Sequence, residues 1–227
     1  RLWKACDAQV GDDFHINPEE IEKKYFGVLT KIFNVARFAS MFPCPNDLET
    51  TPDDLEIEDK WIIAEFQSTM TIVENAWKEL DIYSATQALK SFATGVLPSH
   101  WLEMVKTRLY DEDKAAAWTI HRIVRDFLSA FSPICPFFSH HISQTIYSKS
   151  AVDVDSFPSN IVSELSVASE EGDNLRKLTT SIQDFNSTTW NAKKEAGISL
   201  NQPISGVVIP NDLVEFTDIL TSMHSLE

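Results

Sequence analysis

Apolar residues recur at three- and four-residue steps through most of this chain, the period of an amphipathic helix. The clearest case opens at Asn17, with Asn17 as N-cap, Pro18 at the first helical position and Glu20 three residues after the cap. Behind that start, Ile21, Tyr25, Val28, Ile32, Val35 and Ala39 form one stripe to be buried. Pro43-Cys44-Pro45-Asn46 ends the helix, and Thr50 to Asp54 makes an acidic connector. A second helix is predicted from about Glu58 to Leu80 on Ile62, Phe66, Thr69, Met70, Val73 and Trp77. Ser84-Ala85-Thr86-Gln87 reads as a capping box opening a third, which Pro98 should kink or break before it resumes over His100 to Tyr110. Asp111, Glu112 and Asp113 suit the N-terminus of a fourth helix, whose broad apolar face runs from Trp118 to Phe131. A short fifth follows Pro136.

The pattern changes after Ser148. Short extended pieces around Pro158 mark a boundary, residues 161–197 return to helix, and ISLNQPISGVVIP gives two strand-like runs around Pro203 before a helix from about Asn211 to Ser222. The expected fold is therefore mainly α, an antiparallel helical bundle over residues 1–150. A linker and a small C-terminal α+β appendage would occupy 151–227.

With 227 residues there is room for a real core. Cys6, Cys44 and Cys135 are odd in number and widely spaced, which reads as reduced thiols in a cytoplasmic protein. No apolar run approaches a membrane span, so no membrane partner is expected. The formal net charge of -15 argues against a free-standing nucleic-acid binder, because phosphate contact needs cations. It leaves open a local patch within something larger.

One such patch exists. Between Lys23 and Asn46 there are four basic residues and no acidic one. Opposite the apolar stripe of the first long helix the projection places Lys23, Lys24, Gly27, Lys31, Asn34 and Phe38, with Arg37 at the edge. A solvated helix face explains the charges. Phe38 adds an aromatic with no obvious apolar partner on its own helix, and aromatic, guanidinium and amide groups together suit unstacked bases. A neighbouring helix covering Phe38 is the other reading, and the projection leaves both open.

Catalytic chemistry is not legible. There is no glycine-rich phosphate loop, no CxxC pair and no Ser/His/Asp motif of known context. His140 and His141 diverge by about 100° on a helix and do not face one metal as an i, i+4 pair would. No catalytic residue and no metal ligand is assigned.

Several segments, taken in order, resemble one family. KIFNVARF (Lys31 to Phe38) resembles the first bundle helix of the anticodon-binding domain of class Ia aminoacyl-tRNA synthetases. DKWI (Asp59 to Ile62), HWLEMVKTRLY (His100 to Tyr110) and SPICPFFSHHI (Ser132 to Ile142) resemble its later signatures. RLWKA followed by GDDFHIN resembles the join after the catalytic domain. Within the class the likeness is to valyl enzymes of archaeal type, supported by KKEAGISLNQPI (Lys193 to Ile204), with the isoleucyl enzyme as the alternative.

The resemblance implies a parent enzyme that uses ATP to activate valine and charge valine tRNA, with catalytic and editing domains elsewhere in its chain. The HIGH and KMSKS motifs are absent here, so the resemblance implies tRNA recognition through the anticodon stem-loop. It implies no aminoacylation by this chain, no cofactor of its own, and a monomer. By position, Lys31, Asn34, Arg37 and Phe38 match the anticodon-contacting helix. Phe38 is expected to stack on a base, Asn34 and Arg37 to read edges or backbone, and Lys31 to neutralise phosphate, with Lys24 on the same side. Thr30 stands where the family often has asparagine. Lys106 and Arg108 match a basic pair, for which a helix-end salt bridge is the alternative. His140-His141 replaces a usual acidic pair.

Overall fold

The computed structural model describes residues 1–7, 11, 17–148, 157–158 and 161–227. Asp12 to Ile16, within the expected join, lie outside the described residues, as does most of the expected boundary between Ser148 and Asn160.

The chain forms α1 (Leu2–Asp7), α2 (Pro18–Ala39), α3 (Ile57–Lys78) and α4 (Ile82–Ser91). A π-helical stretch over Phe92–Trp101 runs into α5 (Leu102–Tyr110), followed by α6 (Lys114–Phe131) and α7 (Pro136–Tyr147). A 3-10 turn at Ser163–Leu165 precedes α8 (Glu170–Lys177) and α9 (Thr179–Glu195), and a second at Asn211–Phe216 precedes α10 (Thr217–His224). This is the mainly α bundle that the periodicity predicts.

The start of α2 is as expected, with Asn17 Oδ1 accepting from the Glu19 amide at 3.2 Å. The start of α4 is not. Asp81 is the N-cap, its Oδ1 accepting from the Ser84 amide at 3.0 Å, so the helix begins ahead of the Ser84 box. A carboxylate is as good an N-cap acceptor as a hydroxyl, and it comes first in the chain. Pro98 does not break the helix either. The turns from Phe92 to Trp101 widen to π geometry and carry it unbroken into α5, which accommodates the missing N–H.

α6 is the hub. Nearly every residue from Ala115 to Phe131 is buried, against α2, α3, α5 and α7. A helix covered on all sides needs its polar groups satisfied internally. Arg122 donates from Nη1 to the Leu48 carbonyl at 2.8 Å and pairs through Nε with Asp126 at 2.7 Å. Arg125 reaches Asp126 at 3.0 Å and Glu49 at 2.7 Å. These contacts fasten the connector after α2 onto the hub.

The C-terminal segment packs on the same core. Trp61 of α3 donates to Thr179 Oγ1 at 2.8 Å, and α8 lies against α3. A Cβ on Gly172 would stand 2.7 Å from the Leu165 carbonyl oxygen, so only glycine lets α8 sit this close to the preceding turn. The expected β component reduces, among the described residues, to one isolated parallel bridge between Ile204 and Leu226. Pro203 and Pro210 offer no N–H, and Gly206 turns the chain at φ 81°, so the runs between them cannot ladder.

Candidate functional site

The described residues hold no group of three or more His, Cys, Asp or Glu side chains placed for a metal ion, and no helix long and apolar enough to cross a membrane. His140 and His141 are both exposed on α7. The chemistry concentrates on α2 and at the end of α5.

Burial along α2 fixes its orientation. Tyr25, Ile32, Val35 and Ala39 are buried and Ile21 and Val28 half-buried, as the stripe predicts, with Ala36 buried beside them. The outward line, however, is rotated from the face chosen on charge. The side opposite that stripe carries Phe26, Thr30, Phe33 and Arg37, flanked by Lys23, Asn34 and Met41, all exposed. Phe26 is 70% exposed, Met41 62% and Phe33 44%. Sequence reasoning missed these three as candidates. A strict projection through the middle of the buried stripe finds all of them.

The candidate cations then divide. Among the described residues, neither Lys23 nor Arg37 is in an ion pair. Lys31 is exposed, with Nζ 3.4 Å from the Thr94 carbonyl oxygen. Lys24 lies to the side and bridges Asp7 at 3.0 Å. Lys106 pairs with Glu103 one turn earlier at 3.0 Å. Arg108 is mostly buried and gives its guanidinium to Glu58 at 2.6 Å, Asp59 at 2.8 Å and Asp113 at 3.0 Å. Of its two readings, the structure supports the salt bridge. Burial pushes the Asp59 carboxyl up to about 7 against the pull of Arg108.

Phe38 lies between the two placements considered for it. It is half-buried, neither open among the cations nor sealed in the core. Its ring meets Phe42, four residues on, edge-on at 5.0 Å, and Tyr110 at 6.3 Å. Phe42 meets Tyr110 at 5.6 Å, closing a three-ring cluster across α2 and α5. His121 of the hub anchors it, its Nε2–H donating to the Phe42 carbonyl at 3.2 Å. Burial lowers the His121 pKa, which favours the neutral ring. Phe42 follows from the i, i+4 rule, but Tyr110 has no local signal in the sequence.

A family model described as the anticodon-binding domain of tRNA ligase matches residues 59–209. The chain is also similar to the valine-tRNA ligase of Saccharolobus solfataricus, 32% identical over 204 residues, covering 88% of this chain and 23% of that protein. The valine-tRNA ligase of Aeropyrum pernix is 30% identical over 235 residues, 99% of this chain and 27% of its own length. That of Pyrobaculum aerophilum is 29% identical over 236 residues, 100% of this chain and 28% of its own. The chain thus spans about a quarter of the length of these relatives. α2 precedes the part matched by the family model, but relatives aligned over 99–100% of the chain include it.

Proposed function

Because the chain belongs to the family of anticodon-binding domains of tRNA ligases, we propose that it is the tRNA-recognition part of a valine-tRNA ligase. In this reading the longer protein is a cytoplasmic monomer that activates valine with ATP and charges valine tRNA through domains outside this chain. The chain itself contributes binding and no bond-making step. The observation that carries the reading is the outward face of α2. It sets Lys23, Arg37 and Asn34 beside Phe26 and Phe33 on a rigid helix, in a protein whose net charge is -15.

That combination suits a single-stranded loop. Cations unpaired by carboxylates remain available to phosphate, and releasing the counterions there favours binding. Amide and guanidinium groups then discriminate base edges while rings hold the bases flat. Lys31 is close enough to share in phosphate contact, since a single long contact to a carbonyl holds it weakly. Phe38, half-buried beside Phe42 and Tyr110, offers a base the part of its ring that stays exposed. Lys24, Lys106 and Arg108 have carboxylate partners and contribute through the fold rather than through RNA.

The test is binding of the chain to valine tRNA across a salt series, beside a transcript altered only in the anticodon and an Arg37→Glu variant. Salt-sensitive binding weakened by both changes is the expected result. Equal binding of the two transcripts would remove base-specific reading.

A further inference from the structure

The aromatic cluster at the end of α2 has one member to which the resemblance gives no role, although it ends the HWLEMVKTRLY signature. Tyr110, the last residue of α5, is 57% exposed although its ring contacts both Phe42 and Phe38. Its partners meet it edge-on, and more than half of the residue stays exposed to solvent. We propose that Tyr110 is a base-stacking residue for the same RNA loop, extending the platform begun by Phe38 from α2 onto α5. The proposal rests on the tRNA-binding reading above.

Three observations carry it. The ring is held without being covered. A tyrosine set edge-on to two half-buried rings loses little freedom when a base stacks on it, and aromatic stacking accepts any base because every base has a π-face. The cluster is also pinned through the Phe42 carbonyl to His121 of α6, so the platform sits on the hub and not on a loose loop. Finally, the local charge has a direction. Asp111 and Glu112, both exposed, follow Tyr110 immediately, whereas Arg37 precedes Phe38. Phosphate is repelled at the α5 end and attracted at the α2 end. A strand crossing the cluster therefore runs its backbone past Arg37 and turns a base toward Tyr110. Asp113 does not add to this field, since Arg108 and the Ala116 amide take up its carboxylate.

The experiment uses the 227-residue chain and the anticodon stem-loop of valine tRNA, with 2-aminopurine substituted at each loop position in turn. Stacking on a protein ring quenches that base. Tyr110→Ala should weaken binding about tenfold and abolish the quench at one position, while Tyr110→Phe keeps both. Tyr110→Leu preserves apolar contact with Phe42 but not stacking, and should behave like Tyr110→Ala. Binding and quench retained in Tyr110→Leu would mean the ring serves packing only, and would overturn the proposal. If Arg37→Glu weakens binding while every Tyr110 variant binds as the parent does, Tyr110 falls and the tRNA-binding reading stands. No binding by the unmodified chain would overturn both. Circular dichroism of each variant shows that the bundle is intact.

Discussion

Two sets of basic residues in this molecule look alike in the sequence and differ in what surrounds them. On the outward face of α2, Lys23 and Arg37 point to solvent with no carboxylate partner among the described residues. In the body of the protein, Arg108, Arg122 and Lys193 are turned inward with every charge engaged. Arg108 holds three carboxylates. Lys193 is fully buried, and its Nζ donates to the carbonyls of Leu200 at 2.6 Å, Gln202 at 2.7 Å and His224 at 2.7 Å. A cation is available to a partner only when the fold has given it none, so counting lysines and arginines says little about where RNA binds. The inward set holds the fold, and the outward set is the one proposed above for recognition.

The sharpest way to break this comparison is to delete an inward cation. Arg108→Met should destabilise the bundle by about 3–5 kcal/mol in urea unfolding, because Glu58 and Asp59 would stay buried without a counter-charge. The loss should shrink as pH is lowered, since an unpaired Asp59 can then take up a proton. A change below about 1 kcal/mol would mean that Arg108 is not structural after all.

Next in size is acid sensitivity at the C-terminal end, where Asn186 links the buried rings of His224 and His100. His224 Nε2 donates to Asn186 Oδ1 at 2.8 Å, and Asn186 Nδ2 donates to His100 Nδ1 at 3.1 Å. His100 must be uncharged to accept at Nδ1, and His224 is kept neutral by burial and the nearby Lys193. Burial, with Lys193 nearby, lowers His224 from 6.5 to about 4, and burial lowers His100 as well. The unfolded chain therefore binds more protons than the folded one below 6.5, and stability falls with pH until the folded His224 titrates near 4. The expected loss is on the order of 3 kcal/mol, and His224→Gln should flatten that part of the pH profile. An unchanged slope in the variant would assign the acid sensitivity elsewhere.

On the outward set the effect should appear in binding and not in stability. Arg37→Glu should leave the unfolding free energy within about 0.5 kcal/mol and weaken tRNA binding by about tenfold or more at low salt. A large stability loss would show that Arg37 has an internal role. The smallest effect is expected for Lys106→Ala. Its exposed pair with Glu103 contributes no more than about 0.5 kcal/mol, and its removal should change tRNA binding little.

These particulars also show what could be read before the fold was known. The buried stripe of α2, the Asn17 cap, the broad apolar face of α6 and the basic stretch without acids are local properties, carried by spacing and charge. The outward residues of α2 were harder to read because charge drew attention to Lys24 and Lys31 at the side of the helix. Sequence reasoning places Phe26 and Phe33 on neither face, although they project outward. The C-terminal strands failed for a local reason, two prolines and a left-handed glycine, that outweighed the apolar alternation.

The sequence by itself determined that this is a helical bundle, where most helices start and end, and that one helix carries an unopposed run of cations. Those features depend on neighbours within a few residues, where backbone hydrogen bonding and side-chain periodicity act. Only the tertiary structure decided that Arg108 is held by Glu58 and Asp59, about 50 positions away in the chain. It also decided that Phe38 shares its ring contacts with Tyr110 and that Lys193 closes on three carbonyls. The reason is physical: whether a charge or a ring is available depends on burial and partners, and both are set by helices that meet only when the chain is folded.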